Sequence, residues 1–106
     1  MNEIVERHRR LVAQHPGNEL ARFSLGKALF DAGQFAPARE HFAFALERKP
    51  DWMAAQILLG RCELALGNRA AAGRALERGH QLALRQRHQG PLEETRKLLA
   101  QLGQET

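Results

Sequence analysis

Apolar residues in this chain recur at helical spacing, and the helical pattern itself recurs every 34 residues. Between Asn18 and Pro50, Ala21, Leu25, Ala28 and Leu29 form one apolar stripe, and Ala38, Phe42, Ala45 and Leu46 form a second. Asn18 precedes the first stripe as an N-cap, because its side-chain oxygen can accept from an otherwise orphaned backbone N–H. Gly33 separates the two helices, supplying the left-handed residue that a helix end favours. Pro37 falls in the first turn of the next helix, where its missing N–H costs no hydrogen bond. The pattern then returns: Leu25-Gly26 as Leu59-Gly60, Gly33 as Gly67, Ala38 as Ala72, Phe42 as Leu76 and Ala21 as Ala55. A period of this length marks a helix–turn–helix unit stacked on copies of itself. Within each unit the helices come closest where side chains are small, which explains why Gly26 and Gly60 persist. Each costs a helix roughly 1 kcal/mol relative to Ala.

The flanks extend the array. Shifted by the same period, Pro16 falls on Pro50, Val12 on Leu46 and Leu11 on Ala45. Residues 1–16 therefore read as a second-type helix without its mate, covering the edge of the first full repeat; a flexible tail is the alternative. Asp51 and Asn68 are the expected N-caps of the second unit's helices, and Gly67 ends the first of these. Its second helix lacks a closing proline, since Leu84 stands there, and is expected to run on toward Arg87. Pro91 opens a last helix over 91–103, with Leu92, Leu98, Leu99 and Leu102 apolar and Gly103 as its stop. It lies out of the 34-residue register and is read as a C-terminal cap. Half a repeat, two whole repeats (19–52 and 53–86) and a cap make about six helices and a single domain over residues 1–106.

The pattern Arg22-x2-Leu25-Gly26-x2-Leu29, then Ala38-x3-Phe42-x2-Ala45, then Pro50 resembles the tetratricopeptide repeat. The second copy is Leu59-Gly60, Gly67, Ala72-x3-Leu76-x2-Gly79. Arg22 stands where that family favours Trp, and Leu29 and Glu63 where it favours an aromatic residue. The resemblance implies an all-α, right-handed superhelical array of antiparallel helix pairs whose first helices line a concave face. It also implies that the chain binds another protein rather than catalysing a reaction. Some members grip a C-terminal carboxylate with Lys and Asn side chains on these helices; here Ser24 and Leu58 stand at the amide positions and Phe23 at a Lys position.

Composition narrows the functional classes. Ala and Leu abound, Tyr is absent, and 43% hydrophobic with 26% charged residues is ordinary for a globular chain. The N-terminus carries no signal-like apolar core and no run approaches a membrane span, so a cytoplasmic protein without a membrane partner is expected. A net charge of +4 and a pI near 10.2 raise nucleic acid as a partner, with Arg78, Arg85, Arg87 and His88 as the best patch. Glu and Asp are interleaved with the arginines, however, and no nucleic-acid motif is present, so this reading ranks behind protein binding. The five histidines form no metal motif, and the single Cys62 lies on the Leu59 stripe as a core thiol. No catalytic residues, metal or cofactor are expected.

The candidate site is a second apolar stripe on the first-type helices. In copy one it is Leu20, Phe23, Lys27 and Phe30; in copy two it is Ala54, Ile57, Arg61 and Leu64, at identical spacing. A helix apolar on two sides needs neighbours on two sides. By the resemblance this stripe faces the groove, where Leu20, Phe23, Phe30, Ile57 and Leu64 would take apolar anchors. Part of it must also serve packing between repeats, whereas Lys27 and Arg61 do not suit a core. The expected partner is a protein or peptide segment with apolar anchors beside acidic residues or a free C-terminus. The chain itself is expected to be a monomer or weak homo-oligomer, and the runner-up is a structural module that self-associates through the same groove.

Overall fold

The structure, a computed structural model, describes residues 2–104. Six helices and no strands are present among them: α1 (Glu3–Gln14), α2 (Glu19–Asp31), α3 (Phe35–Arg48), α4 (Met53–Ala65), α5 (Arg69–Gln86) and α6 (Gln89–Gln104). Each helix packs against the next in sequence, and α2 also touches α4, so the first helices of the two repeats form a row of their own. Contacts this local produce an elongated body, 41 × 27 × 21 Å, as expected when each unit meets only its neighbours.

The close approach within each hairpin is steric. A Cβ placed on Gly26 would stand 2.9 Å from Phe42 Cε1, and one on Gly60 would stand 2.6 Å from Leu76 Cγ. The glycine thus receives the large residue of the facing helix itself. Around these contacts Leu25, Leu29, Ala38, Phe42, Leu58 and Cys62 form one buried cluster, joined by Val5 and Val12 of α1. Gly33 and Gly67 adopt φ of +77° and +81°. After Gly33, Gln34 N donates to Leu29 O; after Gly67, Asn68 N donates to Glu63 O, closing the helix ends.

α5 runs on to Gln86 and ends in the same way, with His88 N donating to Ala83 O, but its left-handed residue is Arg87 at φ 55°. Three expectations about helix ends change. Asn18 Oδ1 accepts from Ala21 N at 2.8 Å as foreseen. Asp51 does not cap α4: Trp52 occupies the cap position, and the Asp51 carboxylate instead accepts from Arg78 at 3.0 Å. Asn68 does hold the N-cap position of α5, but its side chain makes no capping bond, since its amide donates to Glu63 Oε1 at 2.9 Å. The last helix begins two residues before Pro91 and runs through Gly103, which is not in the left-handed region and so provides no stop.

The residues that depart from the repeat pattern have found other partners. Arg22, at the tryptophan position, lays its guanidinium 4.3 Å from the Phe44 ring centroid and donates to Pro16 O at 2.9 Å. Beside it, burial and the positive charges of Arg22 and Arg9 hold His41 below the usual histidine range. Glu63, at an aromatic position, meets Arg39 of the previous repeat at 3.4 Å.

Two outcomes test this account. Gly60→Ala should destabilise by about 1–3 kcal/mol through overpacking against Leu76. Gly73→Ala, whose Cβ would meet nothing nearer than Leu102 Cδ1 at 4.0 Å, should stabilise by roughly 0.5–1 kcal/mol; chemical denaturation of the two variants reads the opposite signs. Arg87→Gly should raise stability by up to about 1 kcal/mol by relieving the left-handed arginine, visible as a higher melting temperature.

Candidate functional site

α2 and α4 lie side by side, and Arg61 of α4 reaches Glu94 of α6 at 3.4 Å, so these three helices share one face. Helix spacing alone determines what they present there: residues seven apart sit nearly above one another, and a stripe two turns long is offered twice. On α2, Leu20 is 61% exposed and Lys27 is exposed, its ammonium 2.9 Å from the Asp31 carboxylate one turn on. Phe30 is half-buried, edge-on to Phe35 at 5.3 Å between centroids, with the Arg61 guanidinium 4.9 Å over its ring. Leu64 is half-buried on α4.

The remaining two stripe residues turn inward. Ile57 is 5% exposed and packs on Gly79 of α5, where an added Cβ would lie 2.8 Å from Ile57 Cγ1. It supports the face from beneath. Phe23 is half-buried between Phe42 at 5.6 Å and Trp52, on which it stacks at 4.4 Å and 22°. The structure therefore brings the stripe together as two clusters: Phe30 with Arg61, and Phe23 with Trp52.

Trp52, Asp31, Phe35 and Glu94 belong to this face and were not among the residues picked from the sequence. Asp31 was findable, lying at i+4 from Lys27. Trp52 is the single tryptophan but sits between helices, where periodicity carries no signal. The Lys49 ammonium lies 5.6 Å from its ring centroid, and an open depression of about 450 Å³ lined by Lys49, Pro50, Asp51 and Trp52 adjoins it.

The electrostatics are those of an adaptable surface. Lys27–Asp31 and Arg61–Glu94 are exposed pairs, each worth at most about 1 kcal/mol, so an incoming carboxylate can exchange for the resident one. Burial raises the Cys62 thiol to about 11, which removes its nucleophilic form at neutral pH. Among the described residues no three His, Cys, Asp or Glu side chains gather to hold a metal, and no helix is long and apolar enough to cross a membrane. The basic patch of Arg78, Arg85, Arg87 and His88 is partly engaged, since Arg78 pairs with Asp51.

Stacked helical hairpins with close glycine contacts and a shared face of first helices define an all-α helical-repeat array. The family model of the tetratricopeptide repeat matches residues 23–87, and the chain belongs to that family. It is 37% identical over 76 residues to the TPR repeat-containing protein PA0015 of Pseudomonas aeruginosa, covering 72% of each chain. The solution structure of protein BPP2914 from Bordetella parapertussis superposes with a TM-score of 0.82 at 34% identity, over 99% of this chain and 91% of that one. Two further structures share the fold at 18% identity. The TPR2B domain of yeast Sti1, in complex with pHsp70, gives 0.83 over 96% of this chain and 82% of its own. The first TPR of Spaghetti (RPAP3), bound to the Hsp90 peptide SRMEEVD, gives 0.80 over 94% and 75%.

If Phe23 is packing and Leu20 is free surface, truncation separates them. Phe23→Ala should cost about 2–3 kcal/mol, near the lower end of aromatic deletions. Leu20→Ala should change stability by less than about 0.5 kcal/mol. Denaturant titrations of both variants check this.

Proposed function

We propose that the chain is a protein-interaction module, not an enzyme, and that it binds a partner segment along the face of α2, α4 and α6. The observation that carries this reading is the pair Lys27 and Arg61. They stand one repeat apart on adjacent helices, exposed, each paired with a surface carboxylate, and Arg61 also lies over the Phe30 ring. Apolar surface lies beside them in Leu20, Phe30 and Leu64. The two distant fold neighbours support a peptide mode, since their ligands are chaperone-derived, and SRMEEVD ends in acidic residues around a valine. Here the segment would carry apolar anchors beside carboxylates or a free C-terminus.

Burying one anchor on Phe30 or Leu64 contributes about 1.5–3 kcal/mol. Lys27 and Arg61 would set orientation and encounter rate more than affinity. Trp52 supplies an intrinsic reporter, because its stack on Phe23 borders the face.

The experiment is a fluorescence titration with acidic, apolar-anchored peptides, SRMEEVD among them, against sequence-matched lysine controls. Lys27→Glu with Arg61→Glu should weaken binding of the acidic peptides by about tenfold, equivalent to 1.4 kcal/mol. The variant should also flatten the salt dependence while leaving helical content intact. Equal binding of acidic and basic peptides would sink the reading. A dimer that dissociates on Leu20→Glu or Leu64→Glu would instead make this face a self-interface.

A further inference from the structure

Beside α3, two arginines gather at one aromatic ring. The guanidinium of Arg22, from α2, lies 4.3 Å from the Phe44 ring centroid, and that of Arg48, from α3, lies 4.9 Å from it. Both reach the turn after α1. Arg22 Nε donates to Pro16 O at 2.9 Å, and Arg48 Nη2 stands 3.8 Å from where a Gly17 Cβ would be. Neither arginine pairs with a carboxylate among the described residues, and Arg22 Nη2 and the whole Arg48 fork have no acceptor there. His41 completes the cluster, its Nδ1 3.5 Å from Arg22 Nη1. Arg22, His41 and Phe44 are half-buried and Arg48 is exposed, so the cluster opens to water.

The repeat itself does not require these charges. One repeat on, Gln56 Nε2 donates to Pro50 O at 3.1 Å, so an amide makes the bond that Arg22 makes. There Ala75, Arg78 and Leu82 stand in place of His41, Phe44 and Arg48. Arg78 is paired with Asp51, and Leu82 is buried. In the first repeat, by contrast, two like charges share one half-buried ring, and an anion between them removes their repulsion. The local positive field is felt at His41. Burial first, then the charges of Arg22 and Arg9, hold this histidine below its usual range against the smaller pull of Glu40.

We propose that Arg22, Arg48 and His41 form an anion site, separate from the α2–α4–α6 face, and that its ligand is a single phosphate monoester. Guanidinium forks match the geometry of phosphate oxygens. A phosphate monoester brings about −1.5 to −2 charge and three acceptor oxygens at neutral pH, enough for both arginines. A carboxylate brings one charge and leaves the second arginine uncompensated. The acids around the cluster set the upper limit on the ligand. Glu6 of α1 holds Arg9 at 3.4 Å, and Glu40 of α3 is held by Arg39 at 3.3 Å. Glu19 of α2 pairs with Lys49 at 3.6 Å and also feels Arg48, while Glu47 is exposed on α3. Carboxylates on all three helices repel a long polyanion such as nucleic acid, yet each paired one is engaged elsewhere. What remains is room for one compact dianion.

The test uses the full chain and NMR of the arginine Nε–H groups and the His41 ring. The probes are inorganic phosphate, a short glycine–serine peptide with one phosphoserine, its unphosphorylated form, and a single-stranded oligonucleotide. The phosphoserine peptide should shift Arg22 and Arg48 and move the His41 titration to higher pH, because a nearby dianion favours the imidazolium. The unphosphorylated form should do neither. Tighter binding of the phosphopeptide than of inorganic phosphate supports the site with a modified protein as its source; equal binding supports it with the free ion as its source. Arg22→Gln, which keeps the loop bond as Gln56 does, combined with Arg48→Gln should weaken binding at least tenfold without lowering the melting temperature. Arg48→Gln alone, at an exposed side chain, should weaken it severalfold. Arg78→Gln, the same charge change one repeat on, should leave it unaltered. Absence of shifts, equal shifts from both peptide forms, or binding that the double variant retains would overturn the proposal. So would an oligonucleotide that outcompetes the phosphoserine peptide at equal phosphate concentration, since the surface would then serve a polyanion.

Discussion

The interaction on which the rest depends is the seating of a large side chain against a bare backbone: Phe42 on Gly26 and Leu76 on Gly60. The first helix of each hairpin has no strongly one-sided surface, since it must also meet the neighbouring hairpin. Orientation is therefore set by where the two backbones can approach, and only a residue without a Cβ allows it. The helix-propensity cost of each glycine, roughly 1 kcal/mol, is offset by burial of the whole facing ring or leucine. Once that contact is made, the left-handed turns at Gly33 and Gly67 and the capping at Asn18 have one arrangement to serve.

This explains what was legible in the sequence. Period, helix number and core stripes follow from steric rules that repeat with the chain, so Leu25, Leu29, Ala38 and Phe42 were readable as the core. The candidate face was readable only as a stripe, because depth within a stripe depends on the helix opposite. Phe23 and Ile57 occupy equivalent positions, yet Ile57 is buried because Gly79 replaces the alanine found at position 45 and makes room for it. Phe23 is drawn aside by Trp52, a residue outside any helical period. Glu94 was illegible for another reason: α6 lies out of register, so no spacing argument could bring it to Arg61.

The caps show a related limit. Asp51 and Asn68 are good capping residues by type, but each has a stronger claim on its side chain elsewhere. Arg78 draws the Asp51 carboxylate across to α5, and Glu63 takes the Asn68 amide. Local propensity loses where a tertiary partner offers a charge-assisted hydrogen bond. The same exchange appears at Arg22, whose planar guanidinium covers Phe44 at the position where the repeat pattern has an indole.

The two ends of the array are built on opposite principles. At the C-terminal end, α6 presents Thr95 at the position of Leu25 and Leu59. The Thr95 hydroxyl, fully buried, lies 3.0 Å from both the Pro91 and Leu92 carbonyls and 2.8 Å from His80 Nδ1. A hydroxyl that donates to a carbonyl accepts from the imidazole N–H, so this contact is polar and satisfied, and it is specific to α5. Arg96 stands in place of the hairpin glycine, so α6 lacks the bare backbone on which Phe42 and Leu76 seat in the two repeats. At the N-terminal end, α1 keeps the repeat's own register and leaves Ile4 and Leu11 in water. Exposing that much branched apolar surface on a single helix is unfavourable unless something covers it, whereas the polar edge of α6 has no such cost. The difference lies in the residues themselves: where the repeats have Leu25 and Leu59, α6 has the hydrogen-bonded Thr95, whereas α1 carries leucine and isoleucine on its exposed face.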